Sequence, residues 1–409
     1  MWLVFMASDC IQLEASVAQA RVLRNDALIL DAALDATSQD GWPGLALTAV
    51  ARRAGLSQRP VANRFVDRPE LATAVWRERA APVLLTALER ALSTAGLIPG
   101  EASAAGFQPA MEHLARPDKA LLSALELLVM SNFDPTLASE VKQGLAAEVL
   151  GWCTPQRGKP TRAQAARRAY LLIVALGLVS VARRPGSEQV DLTEEFDSLF
   201  RALQADTSPQ PLPKAHLPHL ADDIPFNTGD PIHDALLTSV LRLVGTSGYD
   251  GASTARIARD AKVAEANIFL RHASKLDLFI DASARHQAYG FPANAEFQQR
   301  MEEEHGAGIT EAVMIREILR PEFSHQRAVN VEELRVSWHN DELLRKQEEQ
   351  FQSFVEQQSA ANPDWPSTLS AARVHVGLAT GYGVGLLGIL DPEAGGLPFD
   401  VVTIPLLDS

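Results

Sequence analysis

The stretch Thr48-Ala-Val-Ala-Arg-Arg-Ala-Gly-Leu-Ser-Gln-Arg-Pro-Val-Ala-Asn-Arg-Phe-Val-Asp-Arg-Pro-Glu-Leu71 decides the reading of this chain. Thr48 suits the cap of a short helix running to Ala54, and Gly55 supplies a turn. Ser57 can cap the next helix by accepting a hydrogen bond from a free backbone N–H. Pro60 falls in the first turn of that helix, where its missing N–H breaks no ladder bond. Phe65 is expected to face the core, and Asp67 to cap a further helix near Pro69. Helix, tight turn and a second helix crowded with cationic and amide side chains is the form of a DNA-reading helix-turn-helix.

Working outward, Leu23, Ala27, Leu30 and Leu34 mark one apolar face of a helix over 21–38, which Gly41-Trp42-Pro43-Gly44 stops. Residues 71–205 read as further helices, amphipathic at 119–130 and 136–152. Residues 161–182 begin basic and turn almost wholly apolar, as a buried or interface helix does. Six prolines between Thr207 and Pro231 mark an extended linker, placed at 206–230. Then the pattern returns. Ser253–Leu278 matches Ala46–Leu71 without a gap at an offset of 207, pairing Gly41 with Gly248, Val50 with Ile257, Arg64 with Arg271 and Arg68 with Lys275. Later landmarks keep an offset of 206, as Ala166-Arg167 and Ala372-Arg373 do. Near-constant spacing over so long a span implies a duplicated module.

The 409 residues are 46% hydrophobic and 22% charged, ordinary for a helical globular protein, with a net charge of −14 that at first opposes nucleic-acid binding. The acidity is uneven. Residues 1–205 hold 21 Lys+Arg against 22 Asp+Glu, the remainder 16 against 29. Within 48–68 five arginines face one acid, and local charge governs phosphate binding over a Debye length of about 10 Å.

Cys10 and Cys153 are too few for a disulfide framework or a four-ligand zinc site, which fits a reducing cytoplasm. The apolar opening Met1–Met6 is too short for a signal core, and the apolar run Tyr170–Ala182 too short to span a bilayer, so a soluble protein without membrane contact is expected. No nucleophile–base constellation or catalytic carboxylate pair stands out, so no enzyme is expected. Gly383-Val-Gly385-Leu-Leu-Gly388 fits a dinucleotide fingerprint but lacks the strand before it and the acid after it. Gly377, Gly381 and Gly385 suit close helix packing instead. Glu302-Glu303-Glu304-His305 lacks a second histidine at i+4 and reads as a solvated face. No cofactor and no metal are expected.

Arg24…Ala32-Ala33…Gly41…Val50-Ala51…Ala54-Gly55-Leu56-Ser57…Val61…Phe65…Arg68…Leu71 resembles the DNA-binding domain of TetR-type transcriptional regulators. Ala62 departs from the usual tyrosine. In the second copy Lys262, Ala264 and His272 replace the turn glycine, the capping serine and the core phenylalanine, and Glu265 opens the reading helix. The resemblance implies an all-α chain in which a helix-turn-helix head and a helical ligand and dimerisation body occur twice as a pseudo-dimer. Its parts are head 1 (21–70), body 1 (71–205), linker (206–230), head 2 (231–278) and body 2 (279–409).

Gln58, Arg59, Asn63 and Arg64 are assigned to base edges, and Arg21, Arg24, Thr48 and Arg68 to phosphates. Asn267, Arg271 and Lys275 are the DNA candidates of the weaker second head. Met130, Phe133, Trp152, Tyr170, Trp338 and His375 are candidate lining of effector pockets. The implied function is a cytoplasmic, nucleoid-associated repressor that a small-molecule effector releases from a double-stranded operator, the two halves pairing intramolecularly. The alternative is a ligand- or protein-binding sensor that keeps the scaffold without binding DNA.

Overall fold

The computed structural model describes the backbone of residues 2–154, 161–218 and 226–408, and side chains from Leu23 onward, Phe291 excepted. Every regular element among the described residues is helical. The first half holds α1 (Trp2–Gly44), α2 (Leu47–Arg53), α3 (Gln58–Arg64) and α4 (Arg68–Val75), which passes through a π turn into α5 (Ala81–Thr94). Then come α6 (Ala104–Ala115), α7 (Lys119–Met130), α8 (Pro135–Gln143), α9 (Leu145–Cys153), α10 (Arg162–Val181) and α11 (Thr193–Gln204). The second half holds α12 (Pro231–Gly251), α13 (Thr254–Asp260), α14 (Ala266–Phe269), α15 (Lys275–His305) and α16 (Ala307–Ile318). It closes with α17 (Ser324–Ser337), α18 (Asp341–Ala361), α19 (Ser367–Leu390) and α20 (Asp400–Leu407).

Short polar side chains start many of these helices by accepting orphan backbone N–H groups. Asp67 takes Glu70 N at 3.0 Å, as its position before Pro69 suggests. Asp134 takes Leu137 N and, 206 residues later, Asn340 takes Leu343 N, both at 2.9 Å. The periodicity over 136–152 overran a break, because Gly144 splits that segment into α8 and α9. Leu23 likewise departs from the apolar face assigned to it and is 63% exposed.

The centre of the molecule is the crossing of α10 and α19. From Ala169 to Val181 every α10 side chain is buried. A Cβ on Gly177 would overlap the carbonyl oxygen of Ala379, and one on Gly383 that of Ile173. Gly383 lies 206 residues after Gly177, and Ala379 the same distance after Ile173. The contact is therefore reciprocal at that spacing, residue i touching j′ while i′ touches j. Both helices are long and apolar enough, by length and composition, to cross a membrane, contrary to the reading from the shorter apolar run. Here each buries most of that surface inside the protein.

A second reciprocal contact sits where each head joins its body. α1 kinks at Gly41 (φ 66°) and α12 at Gly248 (φ 71°), a left-handed backbone that glycine adopts without strain. The freed N–H of Trp42 donates to Glu126 Oε1 at 2.7 Å, and that of Tyr249 to Glu332 Oε1 at 2.6 Å. Each kink is covered by a ring from the other half. His339 would meet a Cβ at Gly41 at 2.7 Å, and Phe133 one at Gly248 at 3.0 Å. One guanidinium ties the two together: Arg335 donates to Glu126 (2.6 Å), Glu332 (2.7 Å) and Asp250 (2.7 Å) with its side chain only 3% exposed.

The proline-rich segment is not a free tether over its described part. Gln210 N donates to Asp400 at 2.6 Å, Arg316 holds the carbonyls of Pro213 and Ala215, and Leu217 is buried.

Candidate nucleic-acid interface and ligand cavity

In the first head, buried Val50, Ala51 and Val61 fix the inner faces of α2 and α3, and Phe65 closes the core beneath them. Gly55 has φ 66° and lets the chain reverse between the two helices. Neither proposed cap is used: α2 opens at Leu47, leaving Thr48 inside its first turn, and the Ser57 hydroxyl makes no capping bond. Packing, not capping, positions α3.

Gln58, Arg59, Asn63 and Arg64 are all exposed on the outer face of α3. Arg64 Nε lies 3.1 Å from Asp26. Arg68 stacks 5.7 Å over Trp42, and Thr48 is exposed. Arg24 is exposed, and the side chain of Arg21 lies outside the described residues. Arg53 is spent on Asp40 (2.7 Å) and Gln39 (3.0 Å), whereas Arg52 and Arg59 make no ion pair among the described residues.

The second head keeps the scaffold but differs from the first in its turn and on its outer face. Lys262, in the place of Gly55, has φ 58°, the one non-glycine positive φ among the described residues, at a cost of about 1–2 kcal/mol. α14 shrinks to four residues. The three residues assigned to DNA there turn to partners within the protein. Asn267 Nδ2 donates to Ala264 O, Arg271 Nε donates to Asp230 at 2.7 Å, and Lys275 Nζ donates to Tyr249 O at 2.8 Å while lying 3.8 Å over its ring. Phe269 and Leu270 (57% and 78% exposed) occupy the outward face instead.

The residues proposed to line an effector pocket lie elsewhere. Met130, Tyr170 and His375 are core, Phe133 plugs the Gly248 kink, and Trp152 gives its carbonyl to Arg168. Trp338 Nε1 donates to Ser180 O at 2.9 Å beside a crevice of about 20 Å³, room for a water at most. Burial and the neighbouring Arg184 push the His375 imidazole down to about 4.

A cavity of about 330 Å³, large enough for a small organic molecule, opens instead in the second body between α15, α17, α18 and α19. Its cause is in the sequence. Gly377 and Gly381 have nothing within 4 Å of where a Cβ would stand, so these glycines hollow a wall rather than bring helices together. At the same places in the first body stand Leu171 and Ala175, both fully buried.

The cavity is mostly apolar, with Met314 and Phe354 on its wall and Glu333 as its ionisable carboxyl. Burial pushes the Glu333 carboxyl up to about 7, and Gln287 Nε2 donates to both of its oxygens at 3.0 Å. Gly381→Leu is expected to fill this space and to raise stability by about 1 kcal/mol through helix propensity, read by urea denaturation.

The features that bear on function are thus a helix-turn-helix with an exposed polar face in the first half and an open cavity in the body of the second. Residues 236–282 match the family model described as bacterial regulatory proteins, tetR family, so the second head is similar to the domain that this model describes. The match falls on the second head, not on the stretch 48–71. Its buried framework, Leu236, Ile257, Ile268 and Leu278, is intact even though its surface has changed. No curated protein matches the chain.

Proposed function

We propose that this protein is a sequence-specific DNA-binding repressor released by a small molecule, built from two fused TetR-like modules that pack as an intramolecular pseudo-dimer. The observation that carries the DNA reading is the exposed set Gln58, Arg59, Asn63 and Arg64 on a helix whose inner face is locked by Val61. The pairing is supported by the two reciprocal contacts, Gly177/Gly383 and Gly41/Gly248. Because the heads differ, the operator is asymmetric, strong in the half that α3 reads.

Release runs through α17. One face of that helix lines the cavity with Asn330 and Glu333, and the other carries Glu332 and Arg335, which hold both head kinks. A ligand that fills the cavity differently in two positions of α17 shifts the population between two head spacings. The effector remains a molecule of unspecified identity, apolar for the most part.

Selection of DNA from a random pool, followed by fluorescence anisotropy, tests the reading. Arg59→Ala and Arg64→Ala should each lower discrimination at one base pair by about 1–3 kcal/mol. Arg68→Ala should weaken all sequences alike and reduce the salt slope by about one unit. Failure to select any sequence would favour the second reading, a sensor without DNA binding, to which the inward-turned Arg271 and Lys275 of the second head already lend support.

A further inference from the structure

The second head differs from the first at one more place. Where the first head has the apolar plug Phe65, the second has His272, and this histidine meets two other ligand-type side chains. His233 Nε2 lies 3.0 Å from His272 Nε2 and 3.1 Å from Asp281 Oδ2, and the three ligand atoms all fall within 4.8 Å of one another. We propose that His233, His272 and Asp281 form a binding site for a late first-row divalent metal ion, zinc foremost, that ties the second head together.

The geometry suits an ion. Four-coordinate zinc takes nitrogen and carboxylate oxygen at about 2.0–2.2 Å, which puts neighbouring ligand atoms a little over 3 Å apart, close to the two short edges seen. Two imidazoles and one carboxylate favour zinc, cobalt or nickel over calcium and magnesium, which prefer all-oxygen shells. All three side chains are half-buried, so a water can complete the shell.

The carboxylate ligand is also held from behind, as metal ligands usually are, and the backbone that carries the two histidines is pinned. Arg285 Nε donates to Asp281 Oδ1 at 2.7 Å, the carboxylate oxygen turned away from His233. Asp230 accepts the backbone N–H of His233 at 3.4 Å and the Arg271 guanidinium at 2.7 Å, so the start of α12 and the end of the reading turn are pinned on either side of the site. His272 N donates to Ile268 O at 2.8 Å.

The site was hidden in the sequence because its ligands come from three elements and no two share a helical face. At the matching places the first head has Asp26, Phe65 and Ala74, which cannot hold an ion. The metal therefore does for the second head what the Phe65 plug does for the first. It joins α12, the turn after α14, and α15, and so fixes a reading helix only four residues long.

Cobalt(II) titration of the full-length, chelator-treated protein tests this, because tetrahedral nitrogen–oxygen cobalt gives visible absorption bands. One saturating equivalent is expected, displaced by zinc. His272→Phe restores the residue of the first head, so it should fold and lose the bands. His233→Ala should do the same, and Arg285→Ala should weaken binding about 10–100-fold. Zinc should raise the midpoint of thermal unfolding of the wild type and leave His272→Phe unmoved. Equal cobalt binding by wild type and His272→Phe, or no saturable binding by the wild type, overturns the proposal whether or not the protein binds DNA.

Discussion

Replacing Arg335 by alanine is expected to destabilise the protein by about 3–5 kcal/mol, among the largest effects of any single change. The guanidinium is almost wholly buried and is the cationic partner of two fully buried carboxylates, Glu126 and Glu332, and of Asp250. Burial alone would raise Glu126, but Arg335 and His339 outweigh it and hold the carboxyl at about 2. Removing Arg335 leaves those charges in a dry site, and breaking a buried pair costs far more than the intact pair contributes. The damage should not stay local, because Glu126 and Glu332 also hold the kinks at Gly41 and Gly248. Urea denaturation reads the loss. Adding Glu126→Gln and Glu332→Gln should recover much of it, since neutral amides need no cation; if the triple variant is no more stable than Arg335→Ala, the charge explanation is wrong.

Gly177→Val and Gly383→Val form the second large effect. A side chain at either place runs into backbone of the crossing helix, Ala379 O in one case and Ile173 O in the other, and backbone cannot rotate away as a side chain does. Overpacking of this kind costs about 1–3 kcal/mol and occasionally more, and these sites belong at the upper end. The reciprocity of the contact predicts similar losses for both variants. Gly381 lies two residues from Gly383 in α19, yet substitution there is expected to stabilise, because the space beside it is open. Opposite signs at neighbouring glycines of one helix, measured by denaturation, separate a packing role from a mere preference for small residues.

Much of the fold was legible because it rests on local rules. The turn glycine, the Asp67 cap and the apolar spacing of the head need only a few neighbouring residues to be recognised, and the structure places Gly55, Asp67 and Phe65 as read. Thr48 is not a cap, and Ser57 holds the N-cap position of α3 without the side-chain bond expected of it. Many residues suit a helix start, and buried Val50 and Val61 hold α2 and α3 without those side-chain bonds. The candidate base-reading set was legible because the spacing of the helix-turn-helix fixes which side chains of α3 face outward. The cavity was misplaced because aromatic residues were read as pocket lining, whereas a cavity is made by what is missing. Gly377 and Gly381 carried that signal, but their spacing equally describes tight packing, and only the neighbouring helices distinguish the two.

The sequence by itself determined an all-helical chain and a helix-turn-helix pattern that returns at a spacing of 206–207 residues. Only the tertiary structure decided how equivalent positions are used. It turned Arg271 and Lys275 inward, made Gly383 a crossing point and Gly381 an opening, set Phe133 and His339 on each other's kinks, and gathered His233, His272 and Asp281. The reason is physical. Periodicity and capping act between residues a few positions apart, whereas charge pairing, cavity formation and ligand convergence depend on groups that folding alone brings within a few ångströms.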